Sequence, residues 1–203
     1  MSETAYAPLP LPTAGPCRRA SLAPYCDRVR VRLSPERFAH VMRVAELAEQ
    51  IALANRFDAG ELRATCLAAV LHDVAREESA ARLFELAPPE SDLERTHPMA
   101  LHGRAGRVVA EAWGVTDERV LGAIEGHVNG PRPGDRVSMA LYVADVSEPG
   151  RGVNDDVRAM AMTNLDRAFR RALEAKIRYL TGRGKTVHPR TLQVHDELTE
   201  PTP

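Results

Sequence analysis

Aromatic residues make up only 4% of the 203 residues, with one Trp, four Tyr and four Phe. Hydrophobic residues reach 44%, enough to bury a real core, but that core has to be built mainly from Ala, Leu, Val and Met. Val apart, these are good helix formers. No stretch alternates apolar and polar residues as a half-buried strand would, so an all-α fold is expected. Charge of one sign is missing as well: 27 Lys and Arg face 28 Asp and Glu, a formal net charge of −1. A general nucleic-acid surface shows a basic excess, so none is expected here, and any phosphate chemistry needs cations gathered locally. Cysteine is scarce. Cys17, Cys26 and Cys66 form no close-spaced metal or redox pair, and their odd number argues against a disulfide framework. They read as free thiols in a reducing compartment. No apolar run approaches the length of a membrane span, and the N-terminus lacks the basic start and apolar core of a secretory signal. The expectations are a cytoplasmic location and no membrane partner.

The present residues divide the chain into a Pro- and Arg-rich flexible tail over 1–33, a folded domain over 34–197 and a short tail over 198–203. In the first tail, Ala7-Pro8-Leu9-Pro10-Leu11-Pro12 favours extended, polyproline-like backbone. Ser34-Pro35-Glu36 then reads as an N-cap, a first-position Pro and a first-turn acid, opening a helix to about Asn55. Its His40 shares an apolar stripe with Val44, Leu47 and Ile51. Asp58-Ala59-Gly60-Glu61 resembles a capping box and launches a helix expected to run to about Arg76. Within it, Ala69-Val70-Leu71-His72-Asp73-Val74 embeds an imidazole and a carboxylate in an otherwise apolar run. A buried charge is costly unless it is paired or bound to a metal. Further helices are expected for 80–86, from Thr96-His97-Pro98 to Gly114, from Thr116 to His127, over 138–146 and over 164–180. They carry His102, His127 and Asp145 at inward positions.

One such His is more often a satisfied core residue than a ligand. Three inward His, a His-Asp pair and an inward Asp on successive helices imply a common centre. Imidazole and carboxylate together suit a divalent transition metal, with Fe or Mn favoured over Zn where oxygen ligands fill an octahedron. Six ligands exceed the needs of one metal with an open position, so a dinuclear centre is expected, with Asp73 as the natural bridge.

His40, His72-Asp73 and Asp145, in this order, resemble the HD phosphohydrolase superfamily, an all-helical, metal-dependent fold. Within it the chain is similar to the YqeK-type bacterial proteins, symmetrical diadenosine tetraphosphate hydrolases. The similarity runs from about Ser34 to Glu197 and is carried by several short segments. These are Arg37-Phe38-Ala39-His40, Leu71-His72-Asp73-Val74-Ala75-Arg76, His102-Gly103, Gly126-His127, the Glu148-Pro149-Gly150-Arg151 turn and His188-Pro189-Arg190-Thr191. The resemblance implies a helical bundle around a buried di-iron centre, manganese being the alternative, with ligands His40, His72, Asp73, His102, His127 and Asp145. It also implies attack of a metal-bridged hydroxide on a phosphorus of a dinucleoside polyphosphate, giving two ADP from diadenosine tetraphosphate.

The chain departs from the family pattern at two places. Arg76 stands where the family has Lys, and His127-Val128-Asn129-Gly130 replaces His-Thr-Thr-Gly. Arg76 and Arg151 are the expected catalytic-site cations holding phosphate, since a guanidinium matches phosphate bidentately; Asn129 is the remaining substrate donor. Arg104, Arg107 and Lys185 are weaker candidates, and a base stack would have to draw on Phe84, Trp113 or Tyr142. Other HD activities on a dNTP, a nucleoside monophosphate or an alarmone stay open, as do homodimerisation and, at lower weight, a non-catalytic scaffold.

Overall fold

Side-chain caps fix most of the helix starts along the chain, among them those of the helices that carry His40, His127 and Asp145. The computed structural model describes residues 21–199, and the Pro-rich run of the first tail lies outside them. Eleven α-helices and two 3₁₀ turns are found among the described residues, without a strand. The Ser34 hydroxyl accepts from the Arg37 amide (3.3 Å) and starts α2 (Pro35–Ala54). Ser34 also donates to Glu77 through its backbone N–H (2.7 Å) and its Oγ (2.6 Å), tying the start of α2 to the segment that follows α3. Asp58 and Glu61 form the reciprocal capping box that opens α3 (Ala59–Leu71).

The core is the packing of α2 on α3 and on α8 (Arg136–Ser147), closed by α7 (Glu118–Gly126) and α10 (Leu165–Thr181). The large side chains buried at its centre include Ile51, Leu71, Ile124, Leu141 and Phe169, all 2% exposed or less. Ala lines many of the contacts, as the shortage of aromatics requires. A smaller cluster of Ala75, Leu83, Ala87, Leu101 and Ala105 sits beneath α4 (Ala80–Leu86).

Several boundaries differ from the expectation. The tail over 1–33 is corrected in its second half: Ala23–Arg32 form α1, with Cys26 and Val29 buried in the core together with the flanking Leu22 and Leu33. Arg28 and Arg30 are exposed, which is why the segment reads as polar, while the apolar residues around them keep helical spacing. Cys26 is disulfide-bonded, correcting the reading of three free thiols, and Cys66 is buried.

Helix α3 stops at Leu71 instead of Arg76. The His72 ring donates from Nδ1 to the Ala69 carbonyl (2.8 Å), which continuation of the helix would have used. Tight turns from Leu71 to Val74 and from Asp73 to Arg76 follow.

The helix expected to begin at Thr96 is in fact three pieces: α5 (Asp92–Thr96), a 3₁₀ turn (Pro98–Leu101) and α6 (His102–Ala112). Besides α1, two further elements were not expected, α9 (Asp155–Ala161) and α11 (Pro189–Thr199). Asn55 links the first of these to the core, donating to the Ala161 carbonyl (2.7 Å) and accepting from the Leu165 amide (3.2 Å).

Candidate metal centre

Four imidazoles are aimed by the same device. His72, His102 and His127 each sit at a helix end or start and donate from Nδ1 to the carbonyl three residues upstream. The acceptors are Ala69 (2.8 Å), Met99 (2.6 Å) and Ile124 (2.6 Å). His40, inside α2, gives its Nδ1 to the Glu148 carboxylate at 3.1 Å. With Nδ1 committed as the donor, every ring presents an Nε2 lone pair to one place. The buried Nε2 atoms of His40 and His72 have no hydrogen-bond partner, and those of His102 and His127 face each other at 3.0 Å. Lone pairs converging in this way fit a cation between them.

Asp73 stands at the middle. Its Oδ2 lies 3.7 Å from His40 Nε2 and 3.5 Å from His72 Nε2. Its Oδ1 lies 3.2 Å from His102 Nε2 and 3.7 Å from His127 Nε2. Asp145 lies 3.1 Å from His40 Nε2 and 3.9 Å from His72 Nε2. All six residues of the sequence-derived ligand set therefore meet in one cluster. Two trios, His40 with His72 and Asp145, and His72 with Asp73 and His127, have donor atoms within 4.8 Å of one another. A set of imidazole nitrogens and carboxylate oxygens suits one or two divalent transition ions.

The electrostatics agree with that use. Burial pushes His72 down to about 4 and lowers His102, so both rings stay neutral with their lone pairs available. Burial alone would raise Asp73 and Asp145. The histidines around them, with Arg151 beside Asp145, outweigh it and hold both carboxyls well below the usual range. Burial opposes charge on His40, but the neighbouring Asp145 and Glu148 carboxylates raise it above its ordinary value. The carboxylates that would draw a proton there would equally draw a metal.

The sequence reading missed the support around this cluster. Glu148, 1% exposed, accepts from His40, from Arg43 Nε (2.7 Å) and from the Gly150 amide (2.6 Å). Burial would raise its carboxyl, but these donors bring it down to about 2. Gly150 makes room for this: a Cβ there would lie 2.5 Å from Arg43 Nε. Gly103 does the same where α6 crosses α7, since its Cβ would come within 2.6 Å of the Glu125 carbonyl. That close approach brings His102 and His127 together, and Gly103 was the visible signal for it.

A cavity of about 680 Å³ opens over the cluster, lined by Asp73, His102, His127 and Asp145 together with Arg37, Arg76, Arg151 and Lys176. Arg37, for which no role was expected, donates to Asp73 at 3.1 Å. Arg151 donates to the side chain and backbone of Asp145. Arg76 makes no side-chain hydrogen bond or ion pair within the described residues and is the cation left to face the cavity. Lys176, also missed, lies on α10, donates to the Val128 carbonyl and sits over the Tyr142 ring at 5.6 Å.

Asn129 does not line this cavity. It lies in an adjoining one of about 460 Å³, where its side chain donates to the Ala100 carbonyl at 3.2 Å. Arg104 pairs with Glu90 and Glu94, and Arg107 with Glu111, Glu118 and Glu125, so neither reaches the site. The aromatic candidates for a base stack are corrected too. Tyr142 is wholly buried, edge-on to Phe169 at 5.5 Å, Phe84 on α4 packs against the smaller apolar cluster, and Trp113 stacks with Arg28. The ring at the cavity wall is Tyr179.

Comparison with known proteins places this geometry in context. The family described as HD domain matches residues 37–193. A protein named probable nicotinate-nucleotide adenylyltransferase/Ap4A hydrolase, from Mycoplasma genitalium, is 30% identical over 152 residues, covering 70% of this chain. The aligned part spans only 42% of that relative's length. The symmetrical bis(5'-nucleosyl)-tetraphosphatase of Bacillus subtilis is 32% identical over 178 residues, covering 84% of this chain and 93% of the relative. A solved structure from Clostridium acetobutylicum, described as a predicted HD superfamily hydrolase involved in NAD metabolism, superposes with a TM-score of 0.79 at 26% identity. It covers 87% of this chain and 95% of the other.

Proposed function

The chain belongs to the HD domain family, and from that premise we propose that it hydrolyses dinucleoside polyphosphates, cleaving diadenosine tetraphosphate symmetrically into two ADP. The observation that carries the reading is the cluster itself: four Nε2 lone pairs and two carboxylates converge on the floor of a cavity ringed by cations. The name carried by the Bacillus subtilis relative supports the choice of substrate.

His40, His72, Asp73, His102, His127 and Asp145 would hold the metal, two iron(II) ions or manganese(II) in their place. Bound there, the ions supply Lewis acidity that activates the attacking water and neutralises the phosphoryl oxygens. The remaining work falls to this chain's own groups. Arg76 and Arg151 hold the non-bridging oxygens of the phosphate chain, where a planar guanidinium fits two of them at once. Arg37, beside Asp73, adds positive charge at the same wall. Buried His72 and His102 stay neutral and keep the floor from repelling a bound cation. Water's oxygen forms the new bond to phosphorus, the central P–O–P bridge breaks, and ADP leaves as a weak base that needs little proton assistance. Asn129, in the adjoining cavity, would bind the substrate away from the reacting phosphorus.

The test is an anaerobic nucleotide panel with Fe(II) and Mn(II), resolved by product identity. Two ADP from diadenosine tetraphosphate is the expected result. ATP plus AMP, or no cleavage alongside turnover of a dNTP, a nucleoside monophosphate or an alarmone, would overturn the substrate assignment while keeping the hydrolase.

A further inference from the structure

The chain uses arginine for 25 of its 27 Lys and Arg residues, and its two lysines are Lys176 and Lys185. Both line the second cavity, the one of about 460 Å³ beside the metal centre. The two cavities abut, and Val128 and Lys176 belong to the walls of both. Their chemistry differs. The first is lined by arginines and by the ligand cluster, which is a setting for phosphate. The second has neither carboxylate nor guanidinium in its lining; Leu93 and Leu180 provide apolar wall, and Asn129, Thr186 and His188 provide polar groups. Apolar walls with a few convergent polar atoms are the usual surroundings of a heterocyclic base.

We propose that the second cavity receives the distal nucleoside of a dinucleoside polyphosphate, with Lys176 contacting the phosphate chain where it crosses from one cavity to the other. The proposal rests on the hydrolase reading above and adds to it the location of the second nucleoside. Lys176 is suited to the crossing. One of its three N–H donors is taken by the Val128 carbonyl, which anchors the ammonium at the junction and leaves the others for phosphate oxygens. A lysine is a point charge on a flexible stem, and it attracts phosphate without imposing the fixed fork of an arginine. Burial pushes this ammonium down to about 8, and an arriving anion favours its charged form. In the second cavity, Asn129 is held through Nδ2 by the Ala100 carbonyl, and its Oδ1 has no hydrogen bond within the described residues. That oxygen is an acceptor available to a base amino group.

The metal-reconstituted full chain distinguishes this from the hydrolase reading when two substrates are compared, diadenosine tetraphosphate and adenosine 5'-tetraphosphate. They share the phosphate chain and differ in the second nucleoside. The wild type should favour the dinucleoside by about tenfold or more in kcat/KM, the scale of a filled apolar pocket. Thr186 lies exposed at the rim of the second cavity, so Thr186→Trp fills it without disturbing the core. It should lower that preference about tenfold. Lys176→Met should lower kcat/KM on both substrates and leave their ratio within about twofold, because both carry the phosphate it contacts. A wild type that makes two ADP yet shows no preference, or a preference that Thr186→Trp leaves intact, overturns the location of the second nucleoside alone. Full kcat/KM on both substrates in Lys176→Met overturns the role of the lysine. A wild type that does not cleave the dinucleoside overturns the hydrolase reading, and this proposal with it.

Discussion

On the proposed reading, replacing Asp73 and replacing Arg151 should separate metal binding from substrate binding. Asp73 turns one oxygen toward His40 and His72 and the other toward His102 and His127. Removing it leaves both histidine pairs without their shared anion, so Asp73→Ala should abolish both metal occupancy and turnover. Arg151 touches Asp145 from the cavity side. Arg151→Ala should keep the metal and raise KM about tenfold, because it removes a phosphate contact and no ligand. Metal analysis beside steady-state kinetics checks the pair, and equal metal loss in both variants would show Arg151 to be structural. At this scale, His72 and Asp73 were legible because two polar groups interrupt an apolar run. Glu148 and Arg43 were not, because their contact joins residues 105 apart in the chain. Lys176 was not legible either: on an amphipathic helix, a lysine reads as part of the solvated face.

Helix α6 meets α7 backbone to backbone at Gly103, and that contact sets how closely His102 approaches His127. Gly103→Ala puts a methyl group 2.6 Å from the Glu125 carbonyl, so the two helices must part. The expected cost is about 1–3 kcal/mol of stability, together with weaker metal binding. Gly122 in α7 is the control, since a Cβ there meets nothing within 4 Å. Gly122→Ala should gain about 0.5–1 kcal/mol, alanine being the better helix former. Denaturant titration of the two variants, with metal affinity measured beside it, tests the assignment, and equal stabilities would remove the close approach as an explanation. Most helices were legible as elements, since their caps and apolar spacing agree, as at Asp58 and Asn164. The ends carrying ligands were not. At His72 a side chain, and not a proline or glycine, takes the carbonyl that would have extended the helix.

Across the whole molecule, the folded unit begins before the proline at position 35. Helix α1 adds Cys26 and Val29 to the core, and Leu22 and Leu33 flank them. Burying a side chain of that size contributes about 1.5–3 kcal/mol, in a domain whose total stability is only about 5–15 kcal/mol. A chain starting at Ser34 should therefore melt at least about 10 °C lower than the full chain. An unchanged Tm by calorimetry would return the boundary to Ser34. No helix among the described residues is long and apolar enough to cross a membrane. The helical class was legible from composition. The reach of the core into the Arg-rich segment was not, because five arginines in its neighbourhood masked four buried side chains.

Three of the four converging imidazoles take their bearing from a carbonyl only three residues away. Which nitrogen carries the proton is thus written into four-residue stretches, while the meeting of those nitrogens depends on the packing of α2, α3, α6, α7 and α8. Orientation and assembly are inherited separately. A lengthened loop between two helices would scatter the rings without changing their tautomers, and a lost carbonyl contact would blur one tautomer without moving its helix. Drift in the loops and drift at the helix ends would therefore leave different scars on the same centre.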